Sequence, residues 1–200
     1  MKLHNSISWI GIAAIMLTTG CSINHPIAED YGQYLSNNQG TAKFQRATVA
    51  DKYYLPPETQ NHRYEFRSAL VGYANVWVVE FGKLLDETLT SRDVATALGS
   101  LTKANVDQIN AGDTLVFNLQ DYTFSDHAAH IALNISVKRN GTERFNKSFQ
   151  ATGLPQGGKM FWGGVFGMKN AVQQSTKAAI DTIISDFIKS ISTELPDTAR

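Results

Sequence analysis

Ile131-Ala132-Leu133-Asn134-Ile135-Ser136-Val137-Lys138-Arg139-Asn140-Gly141 is the stretch on which the fold turns. Its large apolar residues fall at every second position, the period of a strand with one face in a core and the other in solvent. Asn140-Gly141 then marks a hairpin, because both residue types tolerate the left-handed backbone that tight turns need. Beyond the turn, Phe145 and Phe149 continue the pattern. A two-residue loop sets Ile135 opposite Asn146 and Ile131 opposite Gln150 and mixes apolar with polar side chains on one face. A three-residue loop, Arg139-Asn140-Gly141, sets Ile135 opposite Phe145 and Ile131 opposite Phe149. The second register is therefore the expected one, with Gly141 as the left-handed residue of a bulge turn.

Upstream, Leu115, Phe117 and Leu119 alternate with polar neighbours and predict a strand over Thr114–Phe124, after the turn signal Asn110-Ala111-Gly112-Asp113. Downstream, Val172, Ala179, Ile180, Ile183, Ile184, Phe187, Ile188 and Ile191 predict an amphipathic helix over Met168–Thr193. Gln173, Lys177, Asp181 and Ser185 lie opposite that stripe, with Lys177 and Asp181 spaced to pair. Before the meander, Arg63–Val71 alternates as a strand, while Trp77, Phe81, Leu84, Leu85 and Thr88 predict a helix over Asn75–Thr90. Ser91 and Gly99 bracket a second short helical piece. The expected architecture is α+β, a two-layer sandwich. It pairs a mostly antiparallel sheet of roughly four strands with two amphipathic helices on one face.

The amino-terminal part reads differently. Lys2 precedes an apolar run from Ile7 to Leu17, about 16 Å long as a helix against a hydrocarbon core of about 30 Å, so it reads as an export signal rather than a span. It ends Leu17-Thr18-Thr19-Gly20-Cys21, which resembles the lipobox of bacterial lipoproteins. The resemblance implies cleavage between Gly20 and Cys21 and acylation of Cys21, whose two or three chains hold a protein durably to a membrane. Ser22, rather than Asp, resembles the sorting signal of lipoproteins sent to the outer membrane, which implies a periplasm-facing, lipid-anchored protein. The domain reading is a signal over 1–20, a tether over 21–62, one α+β domain over 63–195 and a tail over 196–200. The polar segment Ser22–Arg63 carries Asn37, Asn38 and Pro56-Pro57. Its exceptions are Tyr31, Tyr34, Leu35 and Phe44, which either dock on the domain or pack locally, and Tyr53-Tyr54-Leu55, a candidate edge strand.

Composition narrows the function. Lys and Arg total 18 against 18 Asp and Glu, and loss of Lys2 with the signal leaves 17 against 18, which argues against nucleic acid as a partner. Cys21 is the single cysteine, so the mature body has no disulfide, no thiol chemistry and no Cys-ligated zinc. No cofactor or metal site is expected. Gly153, Gly158 and Lys159 match the start of a phosphate loop, but Met160 stands where Ser or Thr would hold magnesium. His127 and His130 lack a third ligand in register and read as turn or edge residues. There is no nucleophile elbow, and Asp86-Glu87 reads as the solvated face of a helix. The Gly-rich run from Gly153 to Gly167 carries Phe161, Trp162 and Phe166, the candidate contact for a partner or ligand. Burial of at least one ring is the commoner fate of such residues.

The lipobox, the Leu-Leu- and Glu-containing helix, the Asn-Gly hairpin and the Ala178–Asp186 portion of the last helix together resemble the YajG-like outer-membrane lipoproteins. More loosely, they resemble the small lipoproteins that assist envelope transporters. That likeness implies a non-enzymatic accessory or scaffold protein bound to another envelope protein or lipid, with no catalytic residues. The alternatives are a carrier or sensor of lipid or another apolar molecule, and a hydrolase.

Overall fold

In a computed structural model, residues 22–194 are described. Gly20 and Cys21, the signal before them and the 196–200 tail all lie outside the described residues. The fold is α+β, built on two mixed sheets rather than one sheet of four strands. The larger sheet is the meander β6 (Asp113–Ser125), β7 (Ala128–Arg139) and β8 (Thr142–Thr152), extended beyond β6 by β2 (Lys52–Tyr54) and β5 (Thr102–Lys103). β2 lies parallel to both of its neighbours. The smaller sheet sets β1 (Ile23–Pro26) parallel to β4 (Asn75–Glu80) and β3 (Arg63–Phe66) antiparallel to it.

The meander has the expected strands but not the expected hairpin register. The turn is two residues, Asn140-Gly141, with φ of 49° and 79°. A bulge at Arg144 follows, so Val137 pairs with Phe145 and Leu133 with Phe149, while Ile135 faces Lys147. The extra residue restores the parity that a plain two-residue turn would lose, and apolar side chains again share a face. Gly141 is needed for a second reason: a Cβ there would stand 3.0 Å from Asn110 Oδ1. Gly141→Val is expected to lower stability by about 1–2 kcal/mol, and an unchanged melting temperature would refute this turn.

The expected helix over Asn75–Thr90 begins later. Asn75–Glu80 is a strand, and only Phe81–Leu89 is helical (α3). Val76, Trp77, Val78 and Val79 are all buried, so this strand is apolar on both faces and hides its alternation. The stiff Val side chains favour the extended form. The strand expected over Arg63–Val71 stops at Phe66. The short helix that follows α3 forms as expected, α4 (Arg92–Leu98), closed by Gly99 at φ 87°.

The last helix, α6 (Gly164–Glu194), crosses β7 and β8, with Phe187 meeting Phe145 and Phe149 edge-on at 5.7 and 6.2 Å. Its opposite face is covered too, contrary to the solvated role expected for Gln173 and Lys177, both of which are buried. The segment read as a tether does the covering. Ile27, Tyr31 and Leu35 are core residues, helix α1 (Tyr31–Asn37) packs against α3, and Gln173 Nε2 donates to the Ile27 carbonyl at 2.9 Å. The four apolar exceptions in that segment were the informative ones: Tyr31 and Leu35 are buried, and Tyr34 and Phe44 pack against the core. β2 is internal to its sheet, not an edge, and ends before the Pro57–Gln60 helical turn (α2).

Two enclosed phenols give the fold a pH signature. Burial pushes the Tyr31 and Tyr122 hydroxyls well above the usual tyrosine value of 10.0, although each meets a threonine hydroxyl, Thr88 at 3.2 Å and Thr176 at 2.9 Å. A raised acid favours the protonated folded state. Its contribution is therefore complete below pH 10 and is lost as pH climbs beyond it, by about 1.4 kcal/mol per pH unit for each phenol. Melting temperature scanned upward from pH 9 should fall more steeply in the wild type than in Tyr122→Phe. Equal slopes would contradict the burial argument.

Candidate functional site

The run from Gly153 to Gly167 is not a loop along its length. After a short connection it folds as α5 (Gly157–Trp162), turns at Gly163 and enters α6 at Gly164. Gly163 N–H donates to Lys159 O and Gly167 N–H to Gly163 O, both at 2.9 Å, and α5 packs back against α6. A helix this short has one face toward the body, and Met160 takes it, buried in the core. Phe161, Trp162 and Phe166 therefore point out, 62%, 85% and 88% exposed, which overturns the expected burial of one ring. Phe161 and Trp162 meet edge-to-face at 4.9 Å.

Other parts of the chain reach the same end of the domain. Four rings run across it in sequence: His25 on Trp77 at 5.5 Å, Trp77 on Phe66 at 5.8 Å, and Phe66 on Phe124 at 5.0 Å. Phe124 leads into the β6–β7 turn at Asp126-His127, where the His127 carbonyl accepts from Gln156 N–H, just before α5, at 2.9 Å. The 3-10 turn Ala69–Val71 packs against α6. At this end the Ile23 N–H donates to the Ala74 carbonyl at 2.9 Å, and Ile23 and Tyr73 stand 55% and 68% exposed. Leu154 is exposed nearby. Among the described residues, the remaining exposed large apolar side chain is Val106, ahead of the start of β6 and so at the far end.

The other candidates are not assembled for chemistry. Gly153 leaves β8, while Gly158 and Lys159 are inside α5, and the Lys159 ammonium bonds Gln174, so the three do not ring an anion. His127 and Asp126 form the turn, both at positive φ. His130 Nδ1 lies 3.1 Å from Thr152 Oγ1, but its Nε2 meets the Ser125 carbonyl at 3.3 Å rather than a carboxylate that would orient it as a base. Among the described residues, no group of three His, Cys, Asp or Glu side chains is placed to hold a metal ion.

One polar feature escaped the sequence reading. Asp86 and Glu87 are not simply solvated. Asp86 accepts from Tyr53 OH at 2.6 Å and pairs with Lys103 at 2.9 Å, tying α3 to β2 and β5. Glu87 lines a cleft of about 250 Å³ with Gly32, Arg92, Asp93 and Lys177. Its Oε2 is buried without a hydrogen-bond partner, and burial, helped by Asp86, raises its carboxyl above the usual range. The only sequence signal was its place beside Thr88 at the edge of the apolar stripe.

No family model matches the sequence, and no curated protein matches it. Among solved structures, the crystal structure of protein XCC0632 from Xanthomonas campestris, described under the family model DUF330, is similar over 74% of this chain and 95% of that one. The identity is 13% and the TM-score 0.42, a likeness from which nothing about the site is carried over.

Proposed function

We propose that this chain is a non-enzymatic lipoprotein of the cell envelope. On this reading acylated Cys21 holds it at the outer membrane, facing the periplasm, where it serves as accessory or scaffold for another envelope component. The observation that carries the reading is the exposed end bearing Phe161, Trp162 and Phe166 beside a core already closed by Met160. Rings left in water at a cost, with no packing duty, suit a surface that is covered in use. The carrier alternative calls for an apolar chamber, whereas the clefts beside Glu87 and beside Phe44 are open and lined partly by charged groups such as Arg92, Asp93 and Lys43.

The test is to purify the acylated protein from its own membranes after mild in-cell cross-linking and identify what accompanies it. A stoichiometric companion held by the wild type and lost in Trp162→Ala supports the reading. Identical recovery from both proteins would overturn the assignment of this contact.

A further inference from the structure

We infer that the end of the domain carrying Ile23, Tyr73, Phe161, Trp162 and Phe166 rests in the interfacial layer of the membrane that holds Cys21. The inference deepens the contact proposed above and rests on the lipid anchor at Cys21. It starts from the length of free chain. Ile23 is already fixed to the body through its hydrogen bond to Ala74 and its pairing with Asn75. Only Ser22 separates it from Cys21, so the acylated residue stands within about 7 Å of the folded domain, at roughly 3.5 Å per residue. A tether running to residue 62 would have allowed the domain to sit far from the bilayer in any orientation. Two residues instead keep the Ile23 end of the domain at the bilayer surface.

The orientation this imposes brings the apolar end down. β1 starts there, and the row from His25 to Phe124 links that start to the turn against which α5 begins. The exposed large apolar side chains gather at this end, with Val106 at the other. Trp and Tyr favour the headgroup layer, where a ring meets acyl chains and its N–H or O–H stays hydrated. Trp162 and Tyr73 are the residues of those types exposed here, and Phe161, Phe166 and Ile23 supply purely apolar area. The anchor already brings the bilayer to this end, so the bilayer is the envelope component to which the geometry points.

The experiment reads tryptophan fluorescence of the full acylated protein in vesicles of phosphatidylethanolamine and phosphatidylglycerol, with and without brominated acyl chains. Subtracting the Trp162→Phe protein removes the signal of buried Trp77 and isolates Trp162. A second protein, Val106→Trp in the Trp162→Phe background, reports the far end. The expected result is a blue-shifted Trp162 signal that brominated lipid largely extinguishes, and a water-like, unquenched signal from position 106. Equal quenching at both ends, or a water-like Trp162 in anchored protein, would overturn the inference. A Trp162 that is shielded yet unquenched by brominated lipid would also overturn it, while leaving the partner contact standing. Protein that fails to float with the vesicles would instead refute the anchor at Cys21.

Discussion

Replacing Gly153 with alanine is expected to cost the domain about 3 kcal/mol or more, the scale of forced overpacking in a closed interior. Gly153 follows β8 directly and donates its N–H to the Ala129 carbonyl at 2.8 Å. The helix presses on it from above: a Cβ would lie 1.9 Å from the Ser175 carbonyl oxygen and 2.4 Å from its hydroxyl. That hydroxyl is itself engaged, accepting from Ala129 N–H at 2.9 Å. Neither the helix backbone nor the strand end can retreat without breaking these bonds. Gly158→Ala is the matched control, since a Cβ there meets nothing within 4 Å, and helix propensity favours alanine by about 1 kcal/mol. Urea unfolding followed by Trp77 fluorescence separates the two. A Gly153→Ala midpoint close to wild type would mean that α6 does not sit on the sheet as described.

Lys177→Met is the second large effect, an expected loss of about 2 kcal/mol at neutral pH. Lys177 is buried on α6 and its ammonium pairs with Asp181 at 2.5 Å. Removing the lysine leaves Asp181 enclosed without its counter-charge, the costly way to break a buried pair. The loss falls short of the largest known cases because the Asp181 side chain keeps 20% of its surface in water. Burial already raises the Asp181 carboxyl, and Lys177 is what pulls it back down. The sign of the pH effect follows. A raised carboxyl favours the folded state while protonated, so its penalty grows as pH rises from the ordinary carboxylate value. Lys177→Met should therefore approach wild-type stability near pH 4 and fall behind it at pH 7. The double variant Lys177→Met/Asp181→Leu should recover most of the loss. If it is no better than the single variant, the pair is not coupled.

Much of this fold was legible where one period runs long enough to be counted. The meander and α6 declare themselves through Ile131–Val137 and Ile180–Ile191, and both are where the spacing puts them. What failed to show has physical causes. β4 is buried on both faces, so Val76-Trp77-Val78-Val79 has no alternation to read. β1 and β2 are short and pair in parallel with residues about 50–60 positions away, partners that no local pattern marks. The Arg144 bulge corrects the hairpin parity by a means that apolar spacing alone does not distinguish from a longer loop. At the candidate site, the sequence singled out Phe161, Trp162 and Phe166 as a possible contact but did not show their exposure. That depended on Met160, a neighbour of the same apolar class, taking the inward position.

The bond from Gln173 to the Ile27 carbonyl spans 146 positions and joins the first strand region to the last helix. Contacts so distant along a chain are slow to form and arrive late, because the long loop between them must close first. Ile27 and Tyr31 have no finished core to enter until α6 has been made. On the export proposed above, a first strand region that is completed only by the last helix stays open until synthesis is nearly done, the condition in which that part of a chain can still be threaded across a membrane.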